Sequence, residues 1–168
     1  MLNNLTDLLV HEIRDLYSAE TQLLEALPKM EMAATDADLK TAFHDHLNET
    51  KDHVDRLAEA AQILGVEPTG QTCEAMKGLI RESSETIDEL ANPTVKDAAL
   101  IAAAQRVEHY EIAAYGSAAC FADAVDANDV KKLLGKTLDE EKSADDKLTH
   151  IATGGLFSKG INQEAMPN

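Results

Sequence analysis

Apolar residues recur along most of the chain at steps of three and four positions, which is the period of an amphipathic α-helix. The pattern defines four long segments, from about Asn4 to Met32, Asp36 to Gly65, Thr94 to Ala124 and Asn128 to Thr153. A shorter amphipathic segment runs from Glu74 to Leu90. We therefore predict an all-α protein with four long helices and one short helix.

Residues with known capping preferences mark the ends of these segments. Asp36 suits an N-cap, and Gly65 suits the position just past the end of a helix. Thr94 and Asp97 have the spacing of a capping box, with Asp in the place of Glu. The glycines at 154 and 155 should end the last helix. Residues 1–153 are thus predicted to form the helical domain, and residues 154–168 a mobile C-terminal tail.

The lengths of the connections predict the topology. Only a few residues near Thr35 join the first two long helices, and only a few near Asp126 join the last two, so each pair should form an antiparallel hairpin. The stretch between Gly65 and Thr94 can span a long helix of roughly 40 Å. The prediction is a ferritin-like four-helix bundle: two antiparallel hairpins and a long crossover that contains a short fifth helix. A five-helix bundle without a crossover is the alternative.

Charge and cysteine content narrow the classes of function. The chain has 31 Asp and Glu against 15 Lys and Arg, a formal net charge of −16. Such a field repels phosphate backbones, so we expect no nucleic-acid partner.

Cys73 and Cys120 match no zinc or redox spacing, which indicates reduced thiols in a cytoplasmic protein. Cys120 lies in a run of small residues and is predicted to be in the core. No apolar run is long enough to span a membrane, so no membrane partner is expected.

Acidic residues interrupt the apolar stripe of every long helix. In an antiparallel hairpin, residues at equal distances from the turn lie side by side. Glu20 and Glu49 are equally far from the turn at Thr35, and Glu141 is level with Glu108 and Glu111 across the turn at Asp126. Packing the hairpins face to face could gather five carboxylates in one layer. The acidic candidates are Glu20, Glu49, Glu108, Glu111, Glu141 and Asp145.

Carboxylates in a core repel one another, and each costs several kcal/mol unless it is compensated. Two divalent metal ions bridged by carboxylates would remove that cost, and carboxylates with one or two imidazoles suit iron or manganese. His46 and His53 flank Glu49 on its own helix face. Either histidine could bind a metal or could be a core residue hydrogen-bonded to a carboxylate. Tyr17 and Tyr115 could donate hydrogen bonds to ligands. The alternative is that the acids form ion pairs with Lys or Arg.

Several segments resemble one known family, the YciF/YciE stress-associated proteins of bacteria, and most closely its YciF members. The matching stretches are DLYSAETQLLEALPKM, AFHDHLNET, CEAMKGLIRE, VKDAALIAAAQRVEHYEIAAYG and LLGKTLDEEKSADDKLT. The resemblance implies a ferritin-like bundle, a cytoplasmic location, a homodimer and a di-metal site comparable to that of rubrerythrin. The general di-iron pattern would then map onto Glu20, Glu108, Glu111 and Glu141.

The resemblance to di-iron sites is incomplete at the nitrogen ligands. Such sites carry Glu-x-x-His on the second and fourth long helices. Here His53 lies four positions after Glu49, and Asp145 lies four positions after Glu141. Iron is the favoured metal for the two positions, while a site with only oxygen ligands would favour manganese, magnesium or calcium.

Three functions are compatible with these residues. The first is a di-iron oxidase or peroxidase that oxidises Fe(II) or consumes a small oxidant, O₂ or peroxide, under stress. The second is a metal-binding protein without redox turnover. The third is a dimeric interaction module, or structural stress protein, with a vestigial site.

Overall fold

The four long helices and the short fifth helix are confirmed in a computed structural model that describes residues 2–155 and 158–167. Each predicted helix end lies within a few residues of the observed one. The elements in chain order are α1 (Leu5–Ala33), α2 (Ala37–Ile63), α3 (Glu74–Asp88), α4 (Pro93–Ala124), α5 (Asn128–Thr153), β1 (Gly154–Gly155), β2 (Ser158–Lys159) and α6 (Ile161–Glu164).

The long helices form two hairpins that pack face to face. Helix α1 contacts α2 and α4, while α5 contacts α4 and α2. Helix α3 lies outside this bundle, against α4 and α1. The side chain of Asp97, near the start of α4, accepts hydrogen bonds from Thr35 and Asp36 in the α1–α2 turn. Because α4 therefore starts at the end of the bundle where α2 starts, the crossover has travelled the length of α2, and the ferritin-like topology is confirmed.

Two turns end their helices with the same backbone motif. Gly65 has φ 70°, and the amide of Val66 donates to the carbonyl of Ala61 at 3.0 Å. Asp126 has φ 58°, and the amide of Ala127 donates to Ala122 at 2.9 Å. Both are Schellman motifs, which need a residue in the left-handed region after the last helical turn. The sequence predicted the first from its glycine.

The start of α4 differs from the prediction. Asn92 is the N-cap, and its side-chain oxygen accepts from the amides of Thr94 at 3.0 Å and Val95 at 3.2 Å. Pro93 then takes the first helical position, where its missing N–H costs nothing. The capping box predicted at Thr94 is wrong, because the side chain of Asp97 is used by the α1–α2 turn.

The apolar core is divided into two clusters. One cluster lies toward the α1–α2 turn and the other toward the opposite end. Representative members of the first are Leu23, Leu27, Leu39, Phe43, Leu100 and Leu148, and of the second Leu9, Ile13, Leu16, Leu57, Tyr115 and Leu134. A layer of buried polar side chains lies between them, at the middle of the long helices.

The two cysteines are free thiols, but only Cys73 is buried. Cys120 is exposed, so its predicted place in the core is wrong. Ala118 and Ala122 are the buried neighbours on α4. Since successive residues of a helix are about 100° apart, a residue midway between two inner positions points outward.

The described part of the C-terminal segment packs onto the bundle. Strands β1 and β2 form one antiparallel pair, and Ile161 of α6 is buried in the cluster near the α1–α2 turn. Residues 156, 157 and 168 of the predicted tail lie outside the described residues, and the mobility of the tail stays a prediction. Within the described ranges, no helix combines the length and apolar character needed to cross a bilayer.

Replacing Asp97 with alanine should lower the free energy of unfolding by roughly 2 to 4 kcal/mol. The carboxylate is 2% exposed and accepts from the amide and hydroxyl of Thr35 and from the amide of Asp36, at 2.5–2.9 Å. Its removal leaves two backbone amides without partners. Urea denaturation measures the loss, with the exposed Asp52→Ala of α2 as the control. Equal midpoints for the two variants would contradict this account.

Candidate metal centre

Six ionisable side chains meet in the polar layer at the middle of the bundle. Every long helix contributes at least one, because each helix presents an acid or a histidine where its apolar stripe is interrupted. All are between 0 and 6% exposed. We call these residues the buried centre: Glu20 from α1, His46 and His53 from α2, Glu108 and Glu111 from α4, and Glu141 from α5.

The buried centre contains two groups of ligand atoms. In each group, one atom per residue lies within 4.8 Å of every other. Both groups include Glu141, so this carboxylate is common to the two. The first group is His46, Glu108, Glu111 and Glu141, and the second is Glu20, His53 and Glu141.

Both imidazoles direct ring nitrogens at carboxylates. The Nδ1 atom of His53 lies 3.0 Å from Glu141 Oε1 and 3.3 Å from Glu20 Oε1. The Nε2 atom of His46 lies 3.4 Å from Glu108 Oε1 and 3.8 Å from Glu141 Oε2. Each group therefore offers one nitrogen together with carboxylate oxygens.

Many polar atoms of the buried centre lack a hydrogen-bond partner within the described residues. Both oxygens of Glu111 and one oxygen each of Glu20 and Glu108 are among them. Both ring nitrogens of His46, Nδ1 of His53 and both oxygens of Glu141 also lack hydrogen-bond geometry and meet only in ion-pair contacts. Buried polar atoms are nearly always hydrogen-bonded, so unpartnered atoms that converge need an explanation. Cations between them would satisfy these lone pairs, and the residues therefore fit a metal centre.

An outer set of contacts orients the ligands. Tyr115 donates to Glu20 Oε1 at 2.6 Å, as a tyrosine near a ligand was predicted to do. Tyr17 packs instead against the apolar cluster. Glu140 accepts from His53 Nε2 at 3.1 Å and is itself held by Arg56. The proton on Nε2 leaves Nδ1 free to face Glu20 and Glu141, the arrangement typical of metal-binding histidines.

The sequence missed Glu140 and Arg56. Their contact joins α2 to α5, which belong to different hairpins. Distances from a turn relate only residues of one hairpin, so no signal in the sequence placed these two side chains together.

Glu49 and Asp145, both predicted as ligands, lie outside the two groups. The Glu49 side chain is 49% exposed, with Oε2 at 3.5 Å from His46 Nδ1. Asp145 lies 3.5 Å from Nε2 of the exposed His109. The inner face of α2 includes the buried Thr50, one position after Glu49. Because successive residues are about 100° apart, Glu49 points toward the surface. Metal ligation by either acid stays a prediction.

A model of the family described as "Domain of unknown function (DUF892)" matches residues 4–166. The chain belongs to this family. It is 41% identical over 163 residues to Protein YciF of Escherichia coli K12, with 96% of this chain and 98% of that protein covered. The resemblance to YciF proteins predicted from the sequence is confirmed.

Solved structures share the DUF892 bundle. YcfI from Rhodopseudomonas palustris has a TM-score of 0.87 at 45% identity, covering 89% of this chain and 96% of its own. The E. coli stress protein YciF has a TM-score of 0.85 at 43% identity, covering 88% and 94%. A Xanthomonas campestris protein at 16% identity and TM-score 0.71 shows the fold alone.

The buried centre of this DUF892 protein retains protons when it holds no metal. Burial raises the pKa of Glu20 and of Glu111, and raises that of Glu108 to about 8. Burial alone would lower the pKa of both histidines, but the facing carboxylates outweigh it. Glu108 and its neighbours raise the pKa of His46 to about 9, and Glu141 with Glu20 raises that of His53 to about 10.

The metal-free protein should therefore become less stable as the pH rises. Each of these groups binds its proton more tightly in the native state than in the unfolded chain, where the ordinary values are 4.5 for Glu and 6.5 for His. The stability they contribute is complete below the unfolded values and is lost progressively as the pH rises from those values to about 8 to 10. Urea denaturation of chelator-treated protein across this window measures the slope, which should be shallower in Glu108→Gln. Stability that rises over the same window would contradict the assignment.

Proposed function

We propose that this DUF892 protein holds two divalent metal ions in its bundle core and, with iron bound, oxidises Fe(II) at the expense of peroxide or O₂ during stress. The observation that carries the proposal is the convergence of unpartnered, fully buried ligand atoms from four helices, with Glu141 common to both groups.

The donor set favours iron. Each group combines one imidazole with carboxylates, a mixture that suits iron or manganese better than magnesium or calcium, which prefer oxygen alone. Iron bound at both groups would supply two electrons, which with two protons are enough to reduce one peroxide to two waters. Manganese is the second choice on the same argument.

The protein's own residues would position and shield this pair. Glu141 would bridge the ions, and Glu140 would keep His53 turned so that Nδ1 faces Glu20 and Glu141. Tyr115 would hold Glu20 through its hydroxyl. The apolar clusters on either side of the buried centre limit water there, which strengthens the attraction of carboxylates for cations.

Location and assembly belong to the same proposal. The E. coli relative is described as a stress protein, and we carry a role in stress to this chain from that similarity. The family resemblance further supports a homodimer in the cytoplasm, which size-exclusion chromatography with light scattering would test. The net charge of −16 favours a small cation as substrate over nucleic acid.

Metal content and oxidation kinetics together test the proposal. Protein purified without chelators or a metal-affinity tag should contain about two irons per chain by mass spectrometry. Added Fe(II) should be oxidised by peroxide faster than in buffer, and Glu108→Ala should abolish the difference. Oxidation at the rate in buffer would remove the redox function, and a protein that binds no divalent metal would remove the metal centre as well.

One observation favours a second function, that of a structural stress protein. In such a protein the charges of the buried centre would balance one another without a metal ion. Protonated His46 and His53 lie within 3.0–3.8 Å of carboxylates and could act as internal countercharges. This function predicts that divalent metals leave the melting temperature unchanged. A metal-dependent rise would exclude it, because a ligand that binds the native state stabilises that state.

A further inference from the structure

A pocket of about 400 Å³ opens between α2 and α5 and reaches the buried centre. Its floor includes His46 and Glu108, which are 6% and 2% exposed. Its rim is polar and exposed, with Asp45, Glu49 and Lys147 among the lining side chains. The pocket therefore connects solvent with one end of the first ligand group.

Two buried side chains that line this pocket carry atoms without a hydrogen-bond partner in the described ranges. Neither ring nitrogen of His46 has a hydrogen-bond partner within the described residues, and Oε2 of Glu108 lacks one too. A cation that enters from solvent and displaces the protons of these two groups would thus meet a nitrogen and an oxygen able to bind it.

The carboxylate of Glu49 lies between the rim and this floor. Its Oε2 atom is 3.5 Å from His46 Nδ1, while half of the side chain is exposed to water. A cation entering the pocket can therefore contact Glu49 while the cation still holds its water. It can contact His46 only after it has lost part of that water.

An ion pair crosses the mouth of the pocket. Lys147 Nζ on α5 donates to Asp45 Oδ2 on α2 at 2.9 Å. The pair adds a positive charge to the pocket that Glu49 also lines, and it neutralises one of the two rim carboxylates. Both partners are exposed, so the pair can open without disturbing the core.

We propose that this pocket is the access route for hydrated divalent cations, with Glu49 as the transfer ligand and the Lys147–Asp45 pair as a restraint on loading. The inference rests on the proposed function. A cation would exchange part of its water for Glu49 and then move to His46 and Glu108. The carboxylates at the rim attract a cation, whereas they do not attract an uncharged oxidant. The pocket therefore favours a cation.

Stopped-flow binding of Co(II) to metal-free protein tests this role. Glu49→Gln should slow loading about tenfold, while the number of ions bound at equilibrium stays as in the wild type. The matched control is Glu59→Gln, an exposed acid on the same helix that loses the same charge and should load at nearly the wild-type rate. A large fall in the equilibrium stoichiometry of Glu49→Gln would make Glu49 a permanent ligand and overturn the transfer role.

The role of the Lys147–Asp45 pair is tested separately, and here removal of the positive charge should raise the rate of Co(II) loading. Lys147→Gln removes the positive charge and frees Asp45, so loading should be several-fold faster than in the wild type. Asp45→Asn leaves Lys147 unpaired at the mouth and should slow loading. Wild-type loading rates in both variants would overturn the restraint.

The failure of this inference and of the proposed function would look different. If wild-type protein binds Co(II) but Glu49→Gln and Glu59→Gln load equally fast, the access route is wrong and the metal centre stands. If wild-type protein binds no Co(II) at equilibrium, both the metal centre and its access route are wrong.

Discussion

Replacing Glu141 with alanine should remove both metal ions, whereas replacing Glu20 should remove only one. Glu141 belongs to both groups of ligand atoms, and Glu20 belongs only to the group with His53. Without Glu141, each group loses an oxygen ligand and the only residue that the two groups share. Without Glu20, the group of His46, Glu108, Glu111 and Glu141 remains complete.

Mass spectrometry of the two variants, loaded under identical conditions, measures this difference. We expect close to zero ions per chain for Glu141→Ala, about one for Glu20→Ala and about two for the wild type. The exposed Asp146→Ala of α5 is the control and should bind as the wild type does. Equal losses in Glu20→Ala and Glu141→Ala would show that the two groups do not work as separate positions.

Replacing Glu111 with leucine should stabilise the metal-free protein and destabilise the metal-loaded protein, each relative to the wild type. Both oxygens of Glu111 are buried and find no hydrogen-bond partner in the part of the chain that the structure describes. An apolar side chain of similar size should therefore stabilise the metal-free protein by about 1 to 4 kcal/mol. The same change removes a ligand from the first group, so most of the stabilisation by one bound ion should be lost. That loss is about 4 kcal/mol at a metal concentration a thousandfold above the dissociation constant.

Thermal unfolding measures the predicted gain in stability without metal and the predicted loss in stability with metal. The melting temperature of Glu111→Leu should exceed that of the wild type in chelator and fall below it in saturating metal. Glu25→Leu, at an exposed position of α1, controls for the added apolar side chain and should move neither value much. A Glu111→Leu variant that is less stable than the wild type in chelator would show that the carboxyl has a compensating partner.

The sequence was sufficient for the bundle because the helices follow local rules. Apolar steps of three and four residues marked each helix, and Asp36 and Gly65 marked the ends of α2. Short turns made the hairpins, and equal distances from each turn put Glu20 level with Glu49 in one hairpin and Glu108 level with Glu141 in the other. These relations depend only on the chain near each turn, so no knowledge of distant contacts was required.

The sequence was less informative where the rotation of a helix or a contact between hairpins decides the outcome. Glu49 and Asp145 lie outside the two groups, because a step of 100° along a helix turns a side chain to another face, and their ligation of a metal stays a prediction. The contact of Arg56 with Glu140 and that of Asp97 with the α1–α2 turn join distant parts of the chain. Such contacts depend on how the hairpins are packed, which neither hydrophobic period nor capping preference specifies.

The division of the core into two clusters has a consequence for how ions exchange. An ordinary helical bundle is weakest at its frayed ends. Here the ends are held by apolar packing. We therefore expect the metal-free protein to be weakest at its waist, the layer of the buried centre, where carboxyls face one another. The helices can therefore part slightly at the waist while both ends stay packed. Ions can then come and go by a local breathing motion, and the fold need not open to be loaded.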